Sequence, residues 1–333
     1  MTTDVRPVRP EPRIPHAGWR VIAAKEFGDH LLSVRFIVLL VVLGLAAAIP
    51  LYFAADRIRA LAPAASGAPA VFLALFTLGS QQIDLLRVDA FVGMVAPLLG
   101  LAFAFDAVNG ERAEGTLPRL LAQPIYRDDV INGKFTAGMA IIGLVLVSVV
   151  VFIAGFGMLR LGIVPHGSEV LRIASWVFVT FVYVGLWLAF GLLLSVLLRR
   201  AATAALIGFG VWLLVSVFGG LITTIVTGVL TPGADASADT VLGNAQLQQL
   251  ISRLMPSTLY AEVSRVILNP SVTQISAPTT IGQVVQGQQQ IDTLLSLDQS
   301  LLLVWPQLVA LVGLTIVCFG AAYVAFMRQE VRA

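Results

Sequence analysis

Six apolar runs set the limits on what this chain can become. They fall at about 36–54, 88–108, 135–159, 173–198, 203–230 and 301–327. Each is close to or above the roughly 20 residues that a helix needs to cross the hydrocarbon core of a bilayer. In that medium every backbone N–H and C=O must find a partner, so such a run spans as a helix. A membrane barrel would show alternating segments of about ten residues instead. Charged residues make up 12% of the chain and hydrophobic ones 58%, whereas soluble domains carry about a quarter charged residues. The fold expected is an all-α polytopic membrane protein with six transmembrane helices. The first run is expected to be a retained span, because a long polar and charged stretch, residues 1–35, precedes it. A cleaved leader puts its apolar core much nearer the start.

Basic residues near span ends predict orientation. One side collects Arg6, Arg9, Arg13, Arg20, Lys25 and Arg35, then Arg112, Arg119, Arg127 and Lys134, then Arg199 and Arg200, then Arg328 and Arg332. The other side holds Arg57, Arg59, Arg87, Arg160, Arg172, Arg253 and Arg265, spread over longer loops. Both termini are therefore expected in the cytoplasm. Residues 1–35 read as a cytoplasmic tail with an amphipathic connecting helix, and 36–333 as the six-span domain.

Two enlarged outer loops are expected, at about 55–87 and 231–300. The first contains 70–78, apolar but too short to span, which reads as an interfacial or re-entrant helix or as the core of an external part. The second contains 246–269, with Leu247, Leu250, Ile251, Leu254 and Leu259 at helical spacing. Residues 271–290, rich in Thr, Gln, Ser and Gly, read as a mobile loop. Together these loops would make a small external cap, suited to an extracytoplasmic partner. Before the first span, 18–33 places Val21, Ala24, Gly28, Leu31 and Leu32 on one helical face and Lys25, Asp29 and Ser33 on another. Such a helix lies in the headgroup plane, with Trp19 as its anchor, or docks a cytoplasmic partner.

Several chemistries are disfavoured. Cys318 is the only cysteine, and His16, His30 and His166 do not fall at metal-ligand spacing with carboxylates. No Asp, Glu, Lys or Arg lies in the span interiors, where proton- and sodium-driven carriers keep carboxylates and intramembrane metalloproteases their ligands. A net charge of +2 implies no bulk attraction to nucleic acid. The one candidate phosphate loop, Asn132-Gly133-Lys134-Phe135, lacks the upstream glycine and the following Ser or Thr. ATP chemistry serving this chain would have to reside in another one, and no cofactor of its own is expected.

Residues 105–134 form a charged island between the second and third runs. Asp106, Glu111, Glu114, Asp128 and Asp129 stand there beside Arg112, Arg119, Arg127 and Lys134. Thr116 is placed to cap a short helix over 117–122, with Pro118 tolerated in its first turn. Pro124 ends it, since the residue before proline avoids the helical region. Asp128 and Asp129 then favour the positive start of another helix that runs into the third span. The expectation is a short rigid cytoplasmic lever carrying an exposed apolar knob of Leu117, Leu120 and Leu121. Such a lever suits either a groove on a partner or a place on the membrane surface.

The pattern Phe105-Asp106, Gly110-Glu111, Glu114-Gly115-Thr116-Leu117, Leu120-Leu121, Pro124-Ile125, Arg127 and Gly133-Lys134 resembles the region between spans two and three of ABC-2 type transporter permeases, best their NosY-like branch. Lys25-Glu26, Leu194-Ser195, Arg199-Arg200, Met255-Pro256 with Tyr260, and Phe326 with Arg328 and Glu330 are similar to weaker elements of that family. The resemblance implies a type V exporter-like fold in a prokaryotic cell membrane. It implies a dimer, of two like chains or of homologous ones, working with two copies of a separate ATPase that binds ATP and Mg. By that resemblance Glu111, Glu114, Gly115, Thr116, Leu117, Leu120, Leu121 and Pro124 would couple to the ATPase, with Lys25, Glu26 and Asp29 as further docking residues. A substrate path at the dimer interface would draw on Phe91, Met94, Phe218 and Ile222. An ATP-independent channel or carrier, and a membrane-anchored assembly factor, are the competing readings.

Overall fold

The structure, a computed structural model, describes residues 18–65, 70–79, 87–123, 125–230, 238–275 and 294–329. Helix α1 (Gly18–Leu31) leads at once into α2 (Val34–Ala65). A 3₁₀ turn (Val71–Leu73) and α3 (Ala74–Thr77) precede α4 (Val88–Ala104). Two short helices, α5 (Asn109–Ala113) and α6 (Leu117–Leu121), separate α4 from α7 (Arg127–Phe156). A π turn (Gly157–Leu161) ends α7, and α8 (Gly167–Leu197) follows. Then come α9 (Ala201–Trp212), a second π turn (Leu213–Val217), α10 (Gly219–Leu230), α11 (Ala238–Ser252), α12 (Pro256–Leu268) and α13 (Leu297–Arg328). Among the described residues all regular structure is helical.

Five helices are long and apolar enough to cross a membrane: Val34–Ala60, Val88–Ala113, Arg127–Leu161, Gly167–Leu197 and Leu297–Arg328. The sixth expected span is broken. Ala201–Val217 and Gly219–Leu230 meet at a bend of 63°. A π turn shifts the hydrogen-bond ladder there, and Gly219-Gly220 follows it, which are recognised causes of a sharp kink.

Helix α8 is the hub, packed against α4, α7, α9, α12 and α13. Its Trp176, Tyr183, Val184, Trp187, Leu188 and Val196 are all buried. Lipid tails are as apolar as leucine, so helices in a membrane associate through close packing of small residues. A β-carbon added at Gly100 of α4 would lie 2.6 Å from the backbone oxygen of Val184. One added at Gly191 of α8 would lie 2.9 Å from the Ala104 β-carbon. The two backbones therefore run almost in contact.

Two carboxylates near helix starts each cap two elements at once. Asp129, in the first turn of α7, accepts the Tyr126 N–H at 3.2 Å and the Trp19 N–H of α1 at 3.0 Å. Glu169, in the first turn of α8, accepts the His166 N–H at 2.8 Å and the Phe72 N–H of the 3₁₀ turn at 2.9 Å. Both are buried, and an acid at a helix N-terminus is favoured by the exposed N–H groups there.

Parts of the two expected outer loops pack into the helix bundle. The expected helical stretch over 246–269 is split by Pro256, which starts α12 at its first turn. Helix α12 is wedged among α4, α8 and α13, burying Leu259, Tyr260, Val263, Val266 and Ile267. Thirteen residues are too few to span, so the segment enters the bundle without crossing it. The apolar piece at 70–78 is core as well: Phe72, Leu73, Leu75 and Phe76 are buried, and the Phe76 ring meets Trp176 edge-on at 5.4 Å. Of the expected mobile loop at 271–290, residues 276–290 lie outside the described residues.

Large apolar faces stay open on the outermost helices. Val38, Val41, Leu45 and Ile49 on α2 are exposed, as are Leu302, Trp305, Val309, Ile316 and Val317 on α13. Faces of this size need lipid or another protein surface against them.

Candidate functional site

At one end of the bundle α1, the start of α2, the end of α4, α5, α6, the start of α7 and the end of α13 converge. Helix α1 lies along the first turns of α7. A β-carbon at Gly18 would sit 2.5 Å from an Asp129 carboxylate oxygen, and one at Gly133 would sit 2.7 Å from the Ile22 β-carbon. Both glycines are needed for this approach. The apolar face expected for this helix is divided, with Val21 and Leu32 on the open side. Those side chains are 71% and 88% exposed, while Ile22 is buried and Phe27 and Leu31 pack on the core.

The charged island and α1 meet at Lys134. Its side chain is 4% exposed, and its Nζ donates to Glu26 Oε1 at 3.1 Å and to Glu111 Oε1 at 2.6 Å. One buried ammonium therefore ties α1, α5 and α7 together. Lys25 pairs with Asp29 one turn on, at 2.9 Å, on the exposed side of α1. The hydrogen bond it donates to Asp29 holds the Lys25 ammonium above its ordinary pKa. Arg35 at the start of α2 pairs with Asp106 just beyond α4.

Helix α5 is tethered on its other sides too. Ser195 Oγ, near the end of α8, accepts the N–H groups of Val108 and Asn109 at 3.0 and 3.2 Å, filling the role of a cap at the start of α5. Gln329, just past α13, accepts from the Arg112 guanidinium through its side-chain oxygen. Its backbone oxygen accepts from Arg127 at 3.1 Å, and its amide nitrogen donates to the Val196 carbonyl at 2.6 Å. Lys134, Ser195 and Gln329 were not among the predicted site residues. Lys134 and Ser195 stood in the family-like pattern and Gln329 at the edge of an apolar run, and neither signal by itself names a partner.

Beyond α5 the chain turns outward. Glu114, Gly115 and Thr116 are exposed, and Gly115 takes a left-handed φ of 68°, which glycine adopts without steric cost. Thr116 stands at the start of α6, yet its hydroxyl donates back to the Glu111 carbonyl at 3.1 Å and does not cap the helix. The exposed apolar knob is likewise corrected. Leu117 is 1% exposed and Leu120 packs on the core, so these leucines anchor α6 inward. Leu121 closes the helix, and Pro124 lies outside the described residues. Among the described side chains here, Glu114, Gly115, Thr116, Arg119, Ala122 and Gln123 face outward, all polar or small.

The four residues assigned to a substrate path lie on α4 (Phe91 and Met94), at the bend (Phe218) and on α10 (Ile222). Met94 lines a cavity of about 270 Å³ between α4, the second π turn and α12, and Phe91, Phe218 and Ile222 are not in its wall. The Met94 carbonyl accepts the Trp212 indole N–H at 3.0 Å, joining α4 to α9. Phe218 is exposed at the bend. Among the described residues no three His, Cys, Asp or Glu side chains are placed to hold a metal ion.

His30 adds a pH dependence to this end. Burial pushes its pKa below the ordinary value of 6.5, and its ring meets Phe103 edge-on at 5.1 Å. Glu26 and Asp106 oppose that shift, while Lys134 and Arg35 add to it. Below pH 6.5 the unfolded chain takes up a proton that the folded chain resists, so stability falls as pH drops through that point. A His30→Gln variant is expected to lose this part of the acid sensitivity, read as melting temperature in detergent from pH 7.5 to 5.5. An unchanged slope would show that His30 does not titrate against folding.

The chain matches the ABC-2 family transporter protein family over residues 20–331. It is 31% identical over 147 residues to a probable ABC transporter permease protein, NosY, of Stutzerimonas stutzeri. That alignment covers 40% of this chain and 51% of the relative, so the chain spans about half the length of the curated relative it matches.

Proposed function

The chain belongs to the ABC-2 family of transporter proteins, and on that premise we propose that it is the membrane-spanning permease of an ATP-binding cassette exporter. The end holding α1, α5 and α6 faces the cytoplasm, where the basic residues concentrate. Two copies of a separate ATPase dock there and supply ATP and Mg chemistry. Two permease chains pair through their open apolar faces and enclose the substrate path. The observation that carries this reading is the Lys134 junction. It makes α1, α5 and α7 a single rigid block, so a push on the exposed turn at Glu114–Thr116 passes directly into a long span. A loose loop would absorb such a push.

Glu114 is the cleanest probe, because it is exposed in this outward turn, whereas Glu111 also holds Lys134. In the complex with a co-expressed partner ATPase, Glu114→Lys is expected to lower permease-stimulated ATP hydrolysis at least about tenfold, the effect of roughly 1.4 kcal/mol at the contact. Melting of the permease alone should not change. Hydrolysis at the wild-type rate in Glu114→Lys, or failure of any ATPase to co-purify, would refute the coupling role and favour a membrane-anchored assembly factor. Transport into inverted vesicles reads the direction.

A further inference from the structure

A cavity of about 920 Å³ opens beyond the far end of α7, away from the Lys134 junction at its start. Residues of α2, the 3₁₀ turn, the first π turn and the starts of α8 and α13 enclose it. Sites for small organic ligands fall at about 300–1,000 Å³, so a guest of that size has room here. Much of the wall is aliphatic: Ile58, Val71, Leu161, Ile163 and Leu297 stand in it, each partly buried. Val164, Leu171 and Leu294 line it too and are 70%, 60% and 50% exposed. Leu171 belongs to a membrane span, so the apolar lining continues onto a surface that lipid chains cover.

The polar part of the wall carries an excess of positive charge. Arg172 is 5% exposed, and its Nη1 donates to the Ile267 carbonyl at 2.8 Å and to Ser300 Oγ at 3.2 Å. Its Nη2 donates to the Leu295 carbonyl. All three acceptors are neutral. A guanidinium has five N–H groups, so two are left without an acceptor among the described residues. Glu169 stands in the same wall, but its two oxygens already accept the N–H groups of Phe72 and His166. Arg59 adds a second cation, exposed and reaching only a neutral acceptor, the Arg160 carbonyl, at 3.4 Å. A buried charge held by neutral acceptors alone is costly, and an anion beside it lowers that cost.

We propose that this cavity binds an anionic phospholipid of the surrounding bilayer, with an acyl chain along the aliphatic wall and the phosphate served by Arg172 and Arg59. Guanidinium N–H groups match phosphate oxygens in geometry and charge. Basic pockets between membrane helices hold anionic head groups in the same way. Phosphatidylcholine has the same phosphate but brings its own cation beside two arginines, so it fits less well. The site rests on the chain being a membrane protein and on no part of the ATPase coupling described above.

Native mass spectrometry of the delipidated full chain, released from detergent micelles without any ATPase, tests this. Dioleoyl phosphatidylglycerol is expected to be retained at least about fivefold more than dioleoyl phosphatidylcholine at equal concentration. Equal retention would overturn the proposal. Ile163→Trp puts an indole into the cavity, and the preference for phosphatidylglycerol should be lost. An undiminished preference in that variant would place the lipid on the outer helix faces and overturn the site. If Ile163→Trp does not fold, Arg59→Gln at the exposed side chain takes its place, with the preference expected to fall at least about twofold. An unchanged preference there would overturn the site equally. Excess glycerol phosphate, which has the head without the chains, should not displace the lipid. Displacement would show that a phosphate alone is recognised and that no acyl chain is held.

Discussion

Replacing Gly100 by valine is expected to abolish accumulation of folded protein in the membrane. The β-carbon alone would stand 2.6 Å from Val184 O, 2.7 Å from Leu188 N and 3.1 Å from the Trp187 carbonyl carbon. All three are backbone atoms of α8, so no side chain can swing aside. Carbon contacts relax only near 3.5–4.0 Å, so α4 and α8 would have to separate by about 1 Å. Overpacking of this kind costs about 1–3 kcal/mol where neighbours can adjust, and more against rigid backbone. Separation would also open the tight crossing at Gly191 and Ala104 on the same helix pair. Gly320→Val on α13 is the control, since nothing lies within 4 Å of its added β-carbon. Size-exclusion chromatography of detergent extracts should show the monodisperse peak lost for Gly100→Val and kept for Gly320→Val. A Gly100→Val protein that runs and melts like the wild type would mean that the two helices are not so closely crossed.

Lys134→Met should uncouple the bundle from its peripheral helices. The ammonium is buried between two carboxylates whose side chains are 14% and 21% exposed. Removing it leaves Glu26 and Glu111 facing each other, with only the exposed Lys25, 3.6 Å from Glu26, as a nearby cation. Breaking a buried ion group by removing one partner typically costs about 3–5 kcal/mol. Much of that cost is the repulsion and desolvation of the charges left behind. The triple variant Glu26→Gln, Glu111→Gln, Lys134→Met should therefore regain most of the melting temperature. It should not regain stimulated ATP hydrolysis if the charged junction transmits the push. Wild-type melting in Lys134→Met would show that the junction holds nothing together, and full hydrolysis in the triple variant would show that transmission does not need it.

Much of the fold was legible because a bilayer leaves few choices. Runs of apolar residues long enough to span stood out in the sequence, and five of them are continuous helices. Their ends were less clear. Helix α2 extends to Ala65 and α7 begins at Arg127, because helices continue past the apolar slab that hydropathy detects. The broken sixth span had a visible signal in Gly219-Gly220, which reads equally well as close packing. Helix α12 was too short to look like part of a membrane bundle, although its burial is among the deepest.

The site divides in the same way. The punctuation at Gly115 and Thr116 and the short helix after it could be read locally, because turn and helix signals act over a few residues. The direction of Leu117 could not. An apolar side chain on a short helix anchors inward or protrudes with the same local pattern, and only the neighbouring spans decide which.

By itself the sequence determined the class of fold, the rough number of spans, the side on which positive charge gathers and the absence of a phosphate-binding loop of its own. Those properties follow from composition and spacing along one segment at a time. Only the tertiary structure decided that Glu26, Glu111 and Lys134 meet, and that Asp129 and Glu169 each cap two elements. These groups come from helices far apart in the chain. The force that joins them, a charge or a polar atom taken out of water and obliged to find a partner, leaves no trace in any single stretch of sequence.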